Sequence, residues 1–317
     1  MQDRYRPYIL PPANTPWQPH MYRISVIIPV YNYAERLPRT LQSVLPQLAP
    51  GDEIVLVDDG STDESLALIQ EYAAAHPDRI VAAHQANAGP GAARNHGFRL
   101  ASGTHILFLD ADDQLCDQAL PALHRSLRDQ GDCPIVIGGY ISVHEGGRER
   151  RRPAPQLAAR PVDNMRAYIR KQFGTPHGAV LLARRVLDYC LYPEHLRVNE
   201  DLCFFTRILA RFPARRLDEA LAAIHHHGGS LRHDLDAQRN ATPHSEAWVF
   251  EGADMPREAA GLRREFGARR LLSLSRACLL SGRHAEGRTL YAQAVKRWPR
   301  ALLQGSYLRK YLRSFTQ

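Results

Sequence analysis

Short apolar runs that end in carboxylates or amides recur along the first half of this 317-residue chain. Ile24 to Val30, Glu53 to Val57, Arg79 to His84, Thr104 to Leu109 and Ile135 to Tyr140 are too short and too continuously apolar for surface helices. They read as strands buried on both faces. Between the first two, Leu37, Leu41, Val44, Leu45 and Leu48 recur at helical spacing over 34–48. Asp63 and Glu64 fall where the first turn of the next helix belongs. A helix over 118–128 follows the fourth run. Strands alternating with helices predict a doubly wound α/β unit, with its ligand crevice outside the carboxyl ends of the strands.

The second half is less regular. The charged, proline-containing stretch 145–160 shows no period and reads as a loop. Helices are expected over 163–173, from Arg184 to Tyr189 and from Glu200 onward, with a short strand over 178–182. Gly267 to Trp298 resembles one helical hairpin of the tetratricopeptide kind, turning at Ser281-Gly282 and closed by Pro299. A last amphipathic helix over 301–315 sets Leu308, Tyr311, Leu312 and Phe315 beside Arg309, Lys310 and Arg313. The expected division is an extended, proline-rich lead over 1–21, a first half over 22–140, a second half over 141–260, and a basic helical region over 261–317.

Composition narrows the class. Hydrophobic content of 44% and charged content of 23% are those of a globular protein, and no run approaches ~18 apolar residues. The first twenty residues lack the apolar stretch of a secretory signal. Cys116, Cys133, Cys190, Cys203 and Cys278 are scattered, so neither a disulfide framework nor a zinc site is expected. The net charge is +8, but 262–317 carries 13 Lys and Arg against Glu265 and Glu286 alone. The basic excess therefore sits in the C-terminal region, as suits an anionic surface or a protein partner. It carries no nucleic-acid recognition motif, and no nucleic-acid partner is expected.

Three stretches carry candidate chemistry. In I-L-F-L-D-A-D-D, a buried strand ends in Asp110, Asp112 and Asp113. Carboxylates this close repel unless something positive lies among them, which suits Mg²⁺ or Mn²⁺. Capping of the next helix by Asp112 or Asp113 is the competing reading. Gly89 to Asn95 offers backbone N–H groups and a helix N-terminus for phosphate, with Arg94 adding a guanidinium. Its spacing is neither that of a dinucleotide fingerprint nor that of a P-loop. Glu200 and Asp201 open a helix, where acids are also common for electrostatic reasons alone.

Taken together, S-V-I-I-P-V-Y-N at Ser25 to Asn32, E-I-V-L-V-D-D-G-S-T-D at Glu53 to Asp63, N-A-G-P-G-A-A-R-N-H-G at Asn87 to Gly97, F-L-D-A-D-D at Phe108 to Asp113 and the pair Glu200-Asp201 resemble the family-2 glycosyltransferases. The resemblance covers about 22–233. It implies a GT-A fold and transfer of a sugar, with inversion, from a nucleotide sugar to an acceptor hydroxyl. Pro29, Tyr31 and Asn32 would then receive the nucleobase, with Asp59 accepting a hydrogen bond from it and Asp58 supporting Asp59 or the ribose. Gly89, Arg94, Asn95 and Asp110 would hold the rest of the donor. Asp112 and Asp113 would hold Mg²⁺ or Mn²⁺ against the diphosphate. Asp201 would serve as general base with Glu200 beside it.

His227, three residues before Ser230, matches a histidine that often closes over the donor phosphates or metal. The tyrosine-arginine lead-in to that histidine is absent, as is the Q-x-x-R-W signature of processive members, so transfer of a single sugar is expected. The implied donor is a nucleotide sugar such as a UDP-sugar. The implied acceptor is a glycan or glycolipid of the cell surface, reached from the cytoplasm with the C-terminal helices against the inner face of an anionic membrane. The competing reading is a catalytically silent GT-A scaffold that recruits partners through those helices.

Overall fold

A computed structural model describes residues 22–226, 235–251 and 255–315. Four parallel strands form the frame: β1 (Ile24–Val30), β2 (Glu53–Asp58), β3 (Ile80–His84) and β4 (His105–Phe108), ordered β3-β2-β1-β4. Their alternation with α1 (Leu37–Val44), α2 (Ser65–Ala75) and α3 (Pro90–Leu100) is the expected doubly wound half. β4 is buried along its whole length, because both faces of the sheet are covered. Ile27, Val55 and Phe108 point into one core layer, and Ile28, Leu56 and Leu107 into the other. Gly97 lets α3 lie directly on β1, since a Cβ there would come within 2.4 Å of Ile27 Cγ2.

Beyond β4 the sheet becomes mixed. The two-residue β5 (Gln114–Leu115) and α4 (Ala119–Gln130) lead into the long β6 (Ile135–His144). Then follow β7 (Arg148–Arg152), α5 (Pro161–Ile169), β8 (Val180–Ala183), α6 (Arg184–Tyr189), α7 (Glu200–Arg211) and β9 (Ala214–His225). The sheet continues β4-β8-β6-β9-β5, with β7 paired to the outer part of β6. β8 runs antiparallel to both neighbours. Its leading end therefore meets the carboxyl end of β4, a juxtaposition no local pattern announces.

Two expectations change here. The stretch 145–160 is not all loop: Arg148–Arg152 pairs antiparallel with Tyr140 to His144. Its burial pattern is almost wholly exposed, so no apolar alternation marked it as a strand. β9 was likewise hidden, because A-R-R-L-D-E-A-L-A-A-I-H mixes both periods. Its edges are satisfied by β6 on one side and β5 on the other.

The C-terminal helices are α8 (Leu235–Phe250), α9 (Arg257–Ala260), α10 (Arg263–Leu280), α11 (His284–Arg297) and α12 (Gly305–Arg313). The hairpin α10–α11 turns at Ser281-Gly282 as expected but begins at Arg263, four residues before Gly267; α8, with Pro243 inside it, carried no clear period. Leu262 and Phe266 join the same core layer as Phe108, and Phe250 meets Phe266 edge-on at 5.6 Å. Arg170 donates to both oxygens of Glu265, at 2.8 and 3.0 Å. The basic region is thus partly neutralised and packed on the α/β body. On α12, Tyr311 stacks on Tyr291 at 4.2 Å, while Leu312 and Phe315 remain exposed. The N-terminal lead 1–21 and His227 lie outside the described residues.

Candidate active site

The carboxyl ends of β1, β2 and β4 converge on one crevice. At its nucleotide end Tyr31 is 45% exposed, so its ring is open to a stacking partner. Asn32 adopts φ +59°, a conformation asparagine tolerates better than most residues. Its side-chain oxygen accepts from Thr62 N at 2.8 Å, tying the turn after β1 to the turn after β2. Pro29 sits within β1 opposite Val57.

Asp58 and Asp59 end β2 and are both buried. Asp58 accepts from Gly60 N and Ser61 N and lies 2.8 Å from His84 Nδ1. Asp59 accepts from Gln85 Nε2, Ala88 N and Gly89 N at 2.8–2.9 Å. Asp58 therefore shapes the turn after β2, and Asp59 the loop that precedes α3. Gly60 is required there: φ is +75° and a Cβ would stand 2.7 Å from Asn87 N. Gly89, at φ +94°, opens α3. Beside it Arg197 donates to Asn87 Oδ1 at 2.8 Å; sequence reasoning passed over this cation.

Arg94 is placed differently from the expected phosphate-facing position. It is 4% exposed and points inward from α3. Nη2 donates to Asp110 Oδ1 at 2.8 Å and Nη1 to Glu200 Oε1 at 3.0 Å, while the guanidinium lies over the Tyr192 ring at 5.3 Å. Asn95 is also turned inward. It donates to Tyr192 O and Glu194 Oε1 and accepts from Tyr192 N, all at 2.9 Å. These two residues of the A-R-N segment bind protein rather than donor, because α3 is buried along that face.

The electrostatics follow from this geometry. Burial works against charge on Arg94, yet Asp110 and Glu200 hold its pKa above the ordinary guanidinium value. Burial also opposes charge on Asp110, but His177 and Arg94 hold its carboxyl well below the usual range. His177 approaches with Nδ1 3.6 Å from Asp110 Oδ2. It sits at the leading end of β8, among Phe108, Tyr192 and Phe205. Only the antiparallel insertion of β8 brings it here, so spacing gave no signal for it.

Asp113 is the opposite case. Burial and the neighbouring charges of Asp110 and Asp112 push its pKa up to about 9, although its Oδ1 accepts from His225 N at 2.8 Å. Tyr33 Oη lies 3.5 Å from Asp112 Oδ2; burial and Asp112 raise its pKa, so the phenol remains a donor. Arg39 Nη2 donates to Asp112 O at 2.8 Å. Asp112 also opens onto a cleft of about 170 Å³ lined with Arg36, Arg39, His144, His225 and His226.

No group of three or more His, Cys, Asp or Glu side chains among the described residues would enclose a metal by itself. Asp112 is partly exposed at the crevice, whereas Asp113 is buried, its pKa raised first by burial and then by the charges of Asp110 and Asp112. Asp110, engaged by Arg94, is less available.

Glu200 and Asp201 begin α7 and diverge at once. Glu200 is buried against Arg94; burial and the charge of Asp201 raise its pKa. Asp201 is exposed, and its Oδ1 accepts only a local bond from Leu202 N at 2.6 Å. Asn199, at φ +62°, precedes them. An inward carboxylate that locks the site and an outward one open to a ligand is an arrangement suited to proton abstraction.

A doubly wound sheet with a carboxylate edge at β4 and a second acidic site across the crevice defines a GT-A type transferase. Comparison with known proteins gives the family. The family model described as Glycosyl transferase family 2 matches residues 25–190, and the chain belongs to that family. An uncharacterized glycosyltransferase of Nostoc sp. is 52% identical over 241 residues, 74% of this chain and 73% of that protein. A poly(ribitol-phosphate) beta-glucosyltransferase of Bacillus spizizenii is 40% identical over 129 residues, 39% of this chain and 20% of that protein. Among solved structures, S. aureus TarS in complex with UDP-GlcNAc superposes with TM-score 0.58 at 19% identity, covering 88% of this chain and 92% of that one. The protein is a glycosyltransferase with a GT-A-like α/β body and a helical C-terminal region. No described helix is long and apolar enough to cross a membrane.

Proposed function

We propose that this enzyme transfers a single sugar from a UDP-sugar to a hydroxyl of a cell-surface glycan or glycolipid, with inversion at the anomeric carbon. The observation that carries the reading is the Arg94 bridge. By pairing with Asp110 and Glu200 at once, it fixes the start of α7 against the carboxyl end of β4. Asp201 is then held at the same crevice as the diphosphate end of the donor. The solved UDP-GlcNAc complex of a structural neighbour and the glucosyltransferase relative support the donor class.

In this reading Tyr31 stacks on the nucleobase, and the Asp59-supported loop at Gly89 presents backbone N–H groups to the donor. Asp201 accepts the proton of the acceptor hydroxyl as its oxygen forms a bond to the anomeric carbon. The bond from that carbon to the diphosphate breaks on the opposite face, and the nucleoside diphosphate departs with the electron pair. Asp112 and Asp113 would hold Mg²⁺ or Mn²⁺; bound there, the ion neutralises charge on the departing diphosphate. Burial keeps Glu200 and Arg94 out of the proton transfer and assigns them to positioning.

The test is a thermal-shift panel of nucleoside diphosphates and UDP-sugars with and without Mn²⁺, followed by release of nucleoside diphosphate with cell-envelope acceptors. A ligand at 100 times its Kd stabilises by about 2.7 kcal/mol, so the correct donor should separate from the rest. A flat panel with every nucleotide would overturn the donor reading.

A further inference from the structure

The arginines of this protein fall into two populations. In the C-terminal region many are consumed internally: Arg263 and Arg297 pair with Glu246, Arg269 with Glu265, and Arg283 with Asp236. The hairpin β6–β7 differs. Arg148, Arg150 and Arg151 are exposed and make no ion pair with an acid among the described residues.

The register assigns these side chains to faces. Arg148 lies opposite His144, Arg150 opposite Ser142 and Arg152 opposite Tyr140. Directly opposed residues share a face, so Arg148, Arg150 and Arg152 form one row, with Glu149 and Arg151 turned the other way. Arg152 Nε is buried without a hydrogen-bond partner. His226 belongs to the same surface: it stacks on His144 at 4.8 Å and its Nε2 lies 3.4 Å from Ser142 Oγ. His144 and His226 also line the cleft that Arg36 and Arg39 share with Asp112 and Glu145. The arginine row of β7 therefore continues, past His144, into a cleft that holds two further arginines and two acids; this is the strip.

We infer that this strip binds the acceptor, and that the acceptor carries phosphate groups along an extended glycan chain. The inference rests on the transferase reading above and names the substrate class for it. An arginine row donates to neutral hydroxyls too, but its bonds to phosphate are charge-assisted at both ends and bidentate, so a phosphate-bearing acceptor gains most from it. Alternate residues of a strand stand about 6.6 Å apart, and guanidinium forks match phosphate oxygens. In the sheet order β6 and β7 lie beyond β4 and β8 from β1 and β2, so the strip extends the site away from the strands that carry Tyr31 and Asp59.

The experiment uses the full chain with short inorganic polyphosphate as the probe, and UDP with Mn²⁺ as a separate ligand. The double variant Arg148→Glu/Arg150→Glu should bind polyphosphate at least tenfold more weakly than wild type, with an unchanged melting temperature and unchanged UDP affinity. Arg309→Glu/Lys310→Glu, in the C-terminal helix, should bind polyphosphate as wild type does. The inference is overturned if the hairpin variant binds equally, if only the C-terminal variant loses binding, or if UDP displaces the probe. It is also overturned if phosphatidylglycerol vesicles, and not polyphosphate, are the ligand lost on substitution. Failure of wild type to bind UDP while polyphosphate binding holds would instead count against the transferase reading and leave the strip standing.

Discussion

Arg270 Nη1 donates to Asn199 Oδ1 at 3.3 Å, so a helix of the C-terminal region touches the residue that opens the helix bearing Glu200 and Asp201. Burial lowers the Arg270 pKa, with Cys203, Tyr168 and Asp201 among the groups favouring its charge. The C-terminal helices are therefore packed beneath the start of α7, at Glu200 and Asp201.

Ending the chain after Gly261 should accordingly destabilise it. Such a truncation removes Phe266 from the core and leaves Arg170 without Glu265. Loss of one buried Phe side chain alone costs about 3–5 kcal/mol. The expected outcome is aggregation or a strongly lowered Tm in calorimetry; a truncated chain that melts with the full-length protein would show the region to be dispensable.

Arg94→Ala should be among the most damaging substitutions outside the apolar core. It strips the counter-charge from buried Glu200 and half-buried Asp110, and breaking such a pair costs about 3–5 kcal/mol. Arg94→Lys should not rescue it fully, because an ammonium cannot span two carboxylates with a planar fork. Denaturant melts and turnover of both variants check this, and wild-type behaviour of either would contradict the bridging role.

Asp201→Asn should keep donor affinity while lowering kcat by ~10²–10⁴-fold. The thermal shift with UDP should match wild type. Near-normal turnover would move the base to another group.

Asp112→Asn should weaken the Mn²⁺-dependent part of UDP binding and leave the metal-free fold unchanged. Isothermal titration in EDTA and in Mn²⁺ separates the two. Equal affinity of the wild-type protein in both buffers would remove the ion from the donor site.

Metal-free stability should decline with rising pH because of Asp113. Its carboxyl titrates at 3.8 ordinarily and at about 9 in the fold. A raised folded pKa contributes stability that is complete below the unfolded value and lost as pH climbs towards the folded one. Asp113→Asn should therefore raise Tm relative to wild type by a few degrees at pH 8, and by much less at pH 5. An equal difference at both values would mean that Asp113 is not held protonated.

Much of the first half was legible in the residues themselves. Ile24 to Val30, Glu53 to Val57 and Thr104 to Leu109 are buried on both faces, so composition alone marked them as strands. The acids that close these runs marked the carboxyl edge of the sheet, where a ligand crevice belongs. The helical hairpin was readable for a similar local reason: its period and its Ser281-Gly282 turn lie within one stretch. What the tertiary structure decided were pairings between distant segments. Whether Arg94 faces a phosphate or a carboxylate depends on where α7 begins, 106 residues later. His177 reaches Asp110 only because β8 enters the sheet antiparallel. The exposed Arg148–Arg152 strand has no pattern of its own and pairs where β6 outruns β8. Charge counts placed the basic excess in the C-terminal region, but a count over 262–317 cannot see that Glu246, outside that stretch, pairs with Arg263 and Arg297. Local sequence fixes burial and period; which charges meet is settled only when the chain closes on itself.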